Sequence, residues 1–194
     1  PYNLREKRDK DAAYRTMIAK IVAKYYAANP NGNVILISSM PANVDTEIEG
    51  NQKYFEKELE IVQKVRDTQV ENIKKGAELI ADCYEKGGIV RIFGCGHSHL
   101  ISEDVFWRAA TLGNVHAILE PSVSGMSEIT KAGNVESLEG YGQMIVDYHK
   151  VQTPDIMICI SNSGNKAVAI DVAKTCQERG IPTIVMTNVA YSEY

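Results

Sequence analysis

Asp155-Ile156-Met157-Ile158-Cys159-Ile160-Ser161-Asn162-Ser163-Gly164 decides how this chain is read: five apolar residues run without interruption into a Ser/Asn/Gly turn. A continuous apolar run of that length, bounded by a turn, describes a strand buried on both faces. The residues that follow, from Lys166 to Arg179, have helical spacing. A strand that opens through small polar residues into a helix delivers backbone N–H groups to one point. The first N–H groups of a helix have no intrahelical partner, and the helix dipole adds partial positive charge there. An anion, phosphate above all, suits that position.

The same arrangement stands earlier in the chain. Gly88-Ile89-Val90-Arg91-Ile92-Phe93 ends in Gly94-Cys95-Gly96-His97-Ser98-His99, and another helical pattern follows. Glycine lets the backbone approach a ligand and adopt positive φ, while serine and asparagine offer small hydroxyl and amide donors. Neither loop is a nucleotide fingerprint: His99 stands where G-x-G-x-x-G needs its third glycine, and no G-K-[ST] occurs. Two such edges in one sheet point to a phosphorylated ligand that is not a nucleotide.

Outward from these loops the pattern alternates regularly. Strands are expected over 89–93, 115–119, 155–160 and 182–187, and helices over 98–112, 137–149 and 166–179. The stretch 121–133 reads as a loop long enough to serve as a lid. Continuous apolar strands alternating with helices predict an α/β fold, a doubly wound and mostly parallel sheet with helices on both faces. Ligands in such sheets bind beyond the carboxyl ends of the strands, where both Gly/Ser loops fall.

Upstream, 4–28 reads as a helix stopped by Asn29-Pro30-Asn31-Gly32, and 33–37 as a short strand. A long helix follows from about Glu49 to Lys86, with Phe55, Leu59, Val62, Ile73, Ala77 and Ile80 on one face and a possible break near Asp67.

At 194 residues the chain has enough length for one domain, or one with an appendage. A net charge of −4, with no basic stripe interleaved with aromatics, argues against nucleic acid as a partner. No apolar run approaches the roughly 18 residues of a membrane span. Cys83, Cys95, Cys159 and Cys176 are widely spaced, without a C-x-x-C pair, so reduced thiols and a cytoplasmic location are expected. Cys95, between two glycines, is the one with a prospect of reactivity.

The two loops and their spacing carry a resemblance. Strand-G-x-G-x-S-helix, followed about 65 residues later by strand-S-N-S-G-helix, is similar to the SIS (sugar isomerase) domain and within it to the phosphoheptose-isomerase-like proteins. The likeness runs from about Tyr54 to Asn188. It implies a phosphosugar-binding α/β/α fold in which Ser98, Ser161, Asn162 and Ser163 hold the sugar phosphate. Gly94, Gly96 and Gly164 would permit close backbone approach. It also implies a homodimer, for which the long helix offers the longest apolar stripe.

Two departures accompany the resemblance. Many of the family's isomerases continue the second loop as S-x-S-G-x-[ST]-x-E, whereas this chain has Asn165-Lys166-Ala167-Val168. The family's fold also closes with a fifth strand and a last helix, yet the sequence given stops just past the fourth strand. Residues 1–53 resemble that closing tail, and 54–194 the domain's first four strands. The chain then reads either as a permuted, tandem-derived or fragmentary form, or as a domain with an unrelated N-terminal extension.

Aldose–ketose isomerisation needs a base beside the carbonyl and an acid near the oxygens. Glu103, about a turn and a half into the helix after Ser98, and His97 in the loop are the residues nominated, against a solvated helix face and ordinary loop bonding respectively. His97 and His99 form an H-x-H pair without a committed third ligand, so neither a metal nor any other cofactor is expected. His116 reads as a core or sheet-edge residue, His149 as a helix C-cap, and Phe106 and Trp107 as packing. Glu120-Pro121-Ser122 follows the second strand and lies at the same end of the sheet.

The leading expectation is therefore an isomerase acting on a sugar phosphate. The alternatives are a non-catalytic sugar-phosphate sensor, favoured by the missing acid after Gly164, and an etherase or lyase acting on an amino sugar.

Overall fold

A computed structural model describes residues 44–106, 108–126 and 128–189. The expected helix 4–28, strand 33–37, Trp107 and the tail resemblance of 1–43 lie outside the described residues. The chain divides into two units, 1–70 and 71–194.

In the first unit the described part is helical. Helix α1 spans Val44–Glu85 and continues into the second unit. It is unbroken at Asp67, contrary to one expectation, because nothing between Lys53 and Glu85 interrupts it: no proline occurs, and Gly76 alone lacks a side chain. Ion pairs one turn apart, Lys57–Glu60 at 2.8 Å and Lys74–Glu71 at 2.8 Å, line its solvated surface. Tyr54, Phe55, Leu59, Val62 and Val65 are exposed along it.

The second unit is built on four parallel strands: β1 (Val90–Gly94), β2 (Val115–Ile118), β3 (Ile156–Ile160) and β4 (Thr183–Met186). Their spatial order is β2-β1-β3-β4. Helix α2 (His97–Val105) connects β1 to β2. Helices α3 (Pro121–Ser124), α4 (Ile129–Val135) and α5 (Tyr141–Tyr148) lie between β2 and β3, and α6 (Ala167–Glu178) joins β3 to β4. The doubly wound parallel sheet expected from the sequence is the architecture observed.

Strand side chains alternate between two apolar layers. Phe93, Ile118, Met157 and Cys159 pack with Val123, Ile145, Val146, Val168 and Val172 from the α3, α5 and α6 side. On the other face Val90, Ile92, Ile156 and Ile160 pack with Cys83, Ile80 and Val105 from α1 and α2. This division follows from crossover handedness: β1 connects leftward and β3 rightward, and right-handed crossovers in opposite directions put their helices on opposite faces. Removing a fully buried side chain such as Phe93 or Ile118 from water stabilises the fold by about 1.5–3 kcal/mol.

Several expected boundaries change. Helix α2 stops at Val105 rather than 112, because Phe106 turns to extended backbone (φ −75°, ψ 143°). Its ring meets His116 edge-on, with centroids 6.4 Å apart. The stretch 121–133, expected as a lid-like loop, instead holds α3 and most of α4. Glutamates cap both: Glu120 accepts from Ser122 N at 3.0 Å and Glu128 from Thr130 N at 3.3 Å, which satisfies helix N-termini in the manner of shorter capping residues. Helix α5 begins at Tyr141, not 137, behind Gly140 at φ +81°.

Candidate functional site

The strand order reverses between β1 and β3: the chain leaves β1 toward β2 on one side and β3 toward β4 on the other. At such a switch point the two connecting loops diverge and leave a crevice between them. Gly94 and Ile160 are register partners. The first loop, Cys95 to Ser98, and the second, Ser161 to Lys166, therefore leave the sheet at the same level, side by side. The structure brings together the two motifs that the sequence separates.

Each loop is shaped by close approach. A methyl group on Gly94 would stand 2.6 Å from the Ser98 carbonyl oxygen and 3.0 Å from the Ser98 Cβ, so only glycine lets the first turn of α2 fold down over the strand end. Gly96 follows at φ +52°, and its N–H donates to the Val123 carbonyl at 2.7 Å. In the second loop the Gly164 N–H donates to Ser161 Oγ at 3.1 Å. With that lone pair occupied, the Ser161 hydroxyl proton remains available to donate outward. The Asn162 carbonyl accepts from Asn188 N at 3.3 Å, which ties the loop to the chain beyond β4.

The helices behind the two loops lack side-chain caps. Gly96 before α2 and Lys166 before α6 make no side-chain cap hydrogen bond, nor does Gly140 before α5, whereas α3 and α4 are capped by glutamates. Part of the exposed backbone is used internally: Ser98 N donates to Cys95 O, His99 N to Gly96 O, and Val168 N to Glu136 O. The hydroxyls of Ser98, Ser161 and Ser163 and the amide of Asn162 are side-chain donors carried by the two loops.

The two nominated proton carriers are placed differently. His97 is exposed at the start of α2. Glu103 lies on the same helix with its side chain 42% exposed, and its Oε1 is 3.2 Å from Nε2 of the buried His99. Among the described residues the other ring nitrogen, His99 Nδ1, is buried without a hydrogen-bond partner, as is the Ser102 hydroxyl. Glu120 accepts from Ser122 N and from the Tyr141 hydroxyl at 3.1 Å. Burial alone would raise its pKa, but the Ser122 and Tyr141 hydrogen bonds and the His149 charge hold it below the usual carboxylate range.

Glu136, which lies beside the first loop, is not singled out by the sequence pattern. It caps the C-terminus of α4. A methyl group on Gly96 would stand 3.4 Å from Glu136 Oε1, so the carboxylate reaches the crest of the first loop. Its backbone carbonyl accepts the Val168 N–H at 3.1 Å, at the start of the helix after the second loop. Burial raises its pKa, with the Lys166 cation opposing. Val168 is the position at which the S-x-S-G-x-[ST]-x-E pattern has its acid. Glu136 comes from a segment remote in sequence, and no linear motif signals it.

The Cys95 thiol, the one with a prospect of reactivity, is held in its neutral form. Burial, with lesser help from the Glu136 and Cys159 charges, pushes it up to about 12. All four cysteines are free. Among the described residues no group of three or more His, Cys, Asp or Glu is placed to hold a metal ion, and no helix is long and apolar enough to cross a membrane.

The SIS domain model matches residues 53–188, which include both loops and all four strands. The chain belongs to the SIS domain family. This SIS chain is 33% identical over 141 residues to a UPF0309 protein of Geobacillus kaustophilus, a match covering 73% of the chain and 56% of that protein. A UPF0309 protein of Oceanobacillus iheyensis is 34% identical over 143 residues, covering 73% and 58%. The SIS chain spans little more than half the length of these curated relatives. Among solved structures it resembles the phosphoheptose isomerase of Neisseria gonorrhoeae, with a TM-score of 0.57 at 20% identity over 72% of this chain and 74% of that one. A phosphoheptose isomerase from Francisella tularensis gives a TM-score of 0.58 at 16% identity over 75% and 77%. At these identities the structural likeness establishes the SIS fold.

Proposed function

We propose that this SIS domain binds a sugar phosphate and interconverts its aldose and ketose forms. One observation carries the reading: two Gly/Ser loops leave neighbouring strands at one level, on either side of the switch point, in front of helices without side-chain caps. Ser98, Ser161, Asn162 and Ser163 hold the phosphate, and Gly94, Gly96 and Gly164 shape the backbone around it. No dinucleotide fingerprint competes for these loops. Membership of the SIS family and the likeness to phosphoheptose isomerases support the substrate class.

The reaction moves a proton between adjacent carbons through an enediol, for which His97 and the His99–Glu103 pair stand on the α2 side. The exposed apolar residues of α1 support a homodimer formed through that helix, testable by light scattering.

Thermal stabilisation against a panel of five-, six- and seven-carbon sugar phosphates, followed by NMR of the best ligand, tests the assignment. A shift with interconversion is expected. A shift without product would favour the sensor, release of lactate from an amino-sugar ether would favour the etherase, and no shift would overturn the phosphate site.

A further inference from the structure

We infer that Glu136 is the carboxylate that transfers the substrate proton, acting from beside the first loop; this deepens the isomerase reading and rests on it. Three independent features place Glu136 there. Its Oε1 lies 3.4 Å from the point a methyl group on Gly96 would occupy, so the carboxylate adjoins the backbone of the first loop. Its main chain is fixed to the first turn of α6 through Val168 N, so its backbone adjoins the helix that follows the second loop. Among the described residues no group donates a hydrogen bond to its side chain, although it is partly buried. Partly buried carboxylates are normally hydrogen-bonded, as Glu120 is. One left open beside two anion loops is placed to accept from something that binds there.

The surroundings suit a proton carrier better than a phosphate ligand. A carboxylate repels phosphate, so Glu136 is not itself a phosphate ligand. The ionisable groups that act on it are Lys166, whose cation favours the charged form, and Cys95, whose thiol stays neutral. The α2 carboxylate, Glu103, is by contrast engaged with His99.

The step balances without a co-reactant. The carboxylate takes the proton from the hydroxyl-bearing carbon beside the carbonyl, and that C–H electron pair forms the C=C bond of the enediolate as the carbonyl π pair moves to oxygen. The proton lost by the other hydroxyl passes to solvent as solvent supplies one to that oxygen, so no net proton is consumed, and the new carbonyl forms as Glu136 returns its proton to the neighbouring carbon.

The test follows deuterium incorporation by proton NMR in D2O, using the full chain with ribulose 5-phosphate, fructose 6-phosphate and sedoheptulose 7-phosphate as probes. Binding of inorganic phosphate is measured in parallel by thermal shift. Glu136→Gln is expected to bind phosphate at least as well as the unaltered chain, having lost a negative charge. Its carbon-bound exchange should fall at least about 100-fold, and the low-pH limb of the exchange profile should disappear. If the Gln variant does not fold, Glu136→Asp retracts the carboxylate but keeps its charge, and should slow exchange at least about 10-fold with the limb retained. Exchange within threefold of the unaltered rate in either folded variant overturns the role of Glu136 and leaves the sugar-phosphate reading intact. Phosphate binding by the unaltered chain with no exchange on any probe overturns both the isomerase reading and this inference.

Discussion

Arg91 Nε and Asp155 Oδ2, 64 residues apart in sequence, lie 3.0 Å apart at the amino-terminal end of the sheet, both almost wholly buried. They sit at the opposite end of β1 and β3 from the crevice. Asp155 Oδ1 also accepts from Ile89 N at 2.9 Å, so one carboxylate joins the starts of two neighbouring strands. Arg91 extends the network by donating to His116 Nδ1 at 3.1 Å. Conversion of Asp155 to Ala leaves a buried guanidinium and a backbone N–H unpaired. Urea denaturation should show a loss of about 3–5 kcal/mol, and a loss under about 1 kcal/mol would mean that water replaces the carboxylate.

The same end of the sheet makes stability depend on pH. An arginine only donates, so the Arg91 contact requires His116 Nδ1 to be unprotonated. Burial first, then the Arg91 charge, lowers the pKa of both His116 and His149, whose rings lie 5.6 Å apart. With a depressed folded pKa, the unfolded chain takes up protons first as pH falls. Their contribution is fully present above the ordinary histidine value of 6.5 and is lost as pH drops below it. The melting temperature should therefore decline between pH 7.5 and 5, and His149→Gln should flatten that decline; an unchanged slope would remove His149 from the account.

Gly94→Ala tests the shape of the first loop. The added methyl group meets the Ser98 carbonyl at 2.6 Å, so the first turn of α2 must move, at about 1–3 kcal/mol. Phosphate-induced thermal stabilisation should vanish with it. A variant that still responds to phosphate would show that α2 contributes little to the anion site.

Ser161→Ala separates loop stability from ligand binding. Loss of the Gly164 N–H to Ser161 Oγ bond should cost about 1 kcal/mol, a small change in melting temperature. The response to phosphate should fall much further, because the hydroxyl is also a donor to the ligand. Equal losses in both readouts would reduce Ser161 to a turn former.

Cys95 should be slow to alkylate. With its pKa pushed up to about 12 by burial, little thiolate exists at pH 8. Iodoacetamide should modify it on the order of 100-fold or more slowly than the same cysteine in urea. Rapid labelling of the folded chain at Cys95 would indicate that the first loop opens.

Much of the fold is local information. The strand at 156–160 is apolar throughout and the one at 90–94 is interrupted only by Arg91, and both are buried on both faces, so hydrophobicity marks them as strands without reference to their neighbours. Gly94, Gly96 and the Ser161-Asn162-Ser163-Gly164 turn are likewise legible, since a tight turn and an uncapped helix start are properties of a few consecutive residues. The short helices α3 and α4 were missed because glutamate at the cap is a weaker signal than serine or aspartate, and four or seven residues are too few to establish a period.

Tertiary structure alone decided what stands between the loops. The sequence by itself determined two Gly/Ser turns and a parallel sheet to carry them, because backbone geometry and hydrophobic period are set within each segment. It could not place the turns at one level, which depends on the Gly94–Ile160 register. Nor could it bring Glu136 to Gly96, or engage Glu103 with His99. Those relationships arise when elements distant in the chain pack against one sheet, and the burial that packing creates changes the charge chemistry of the side chains it encloses.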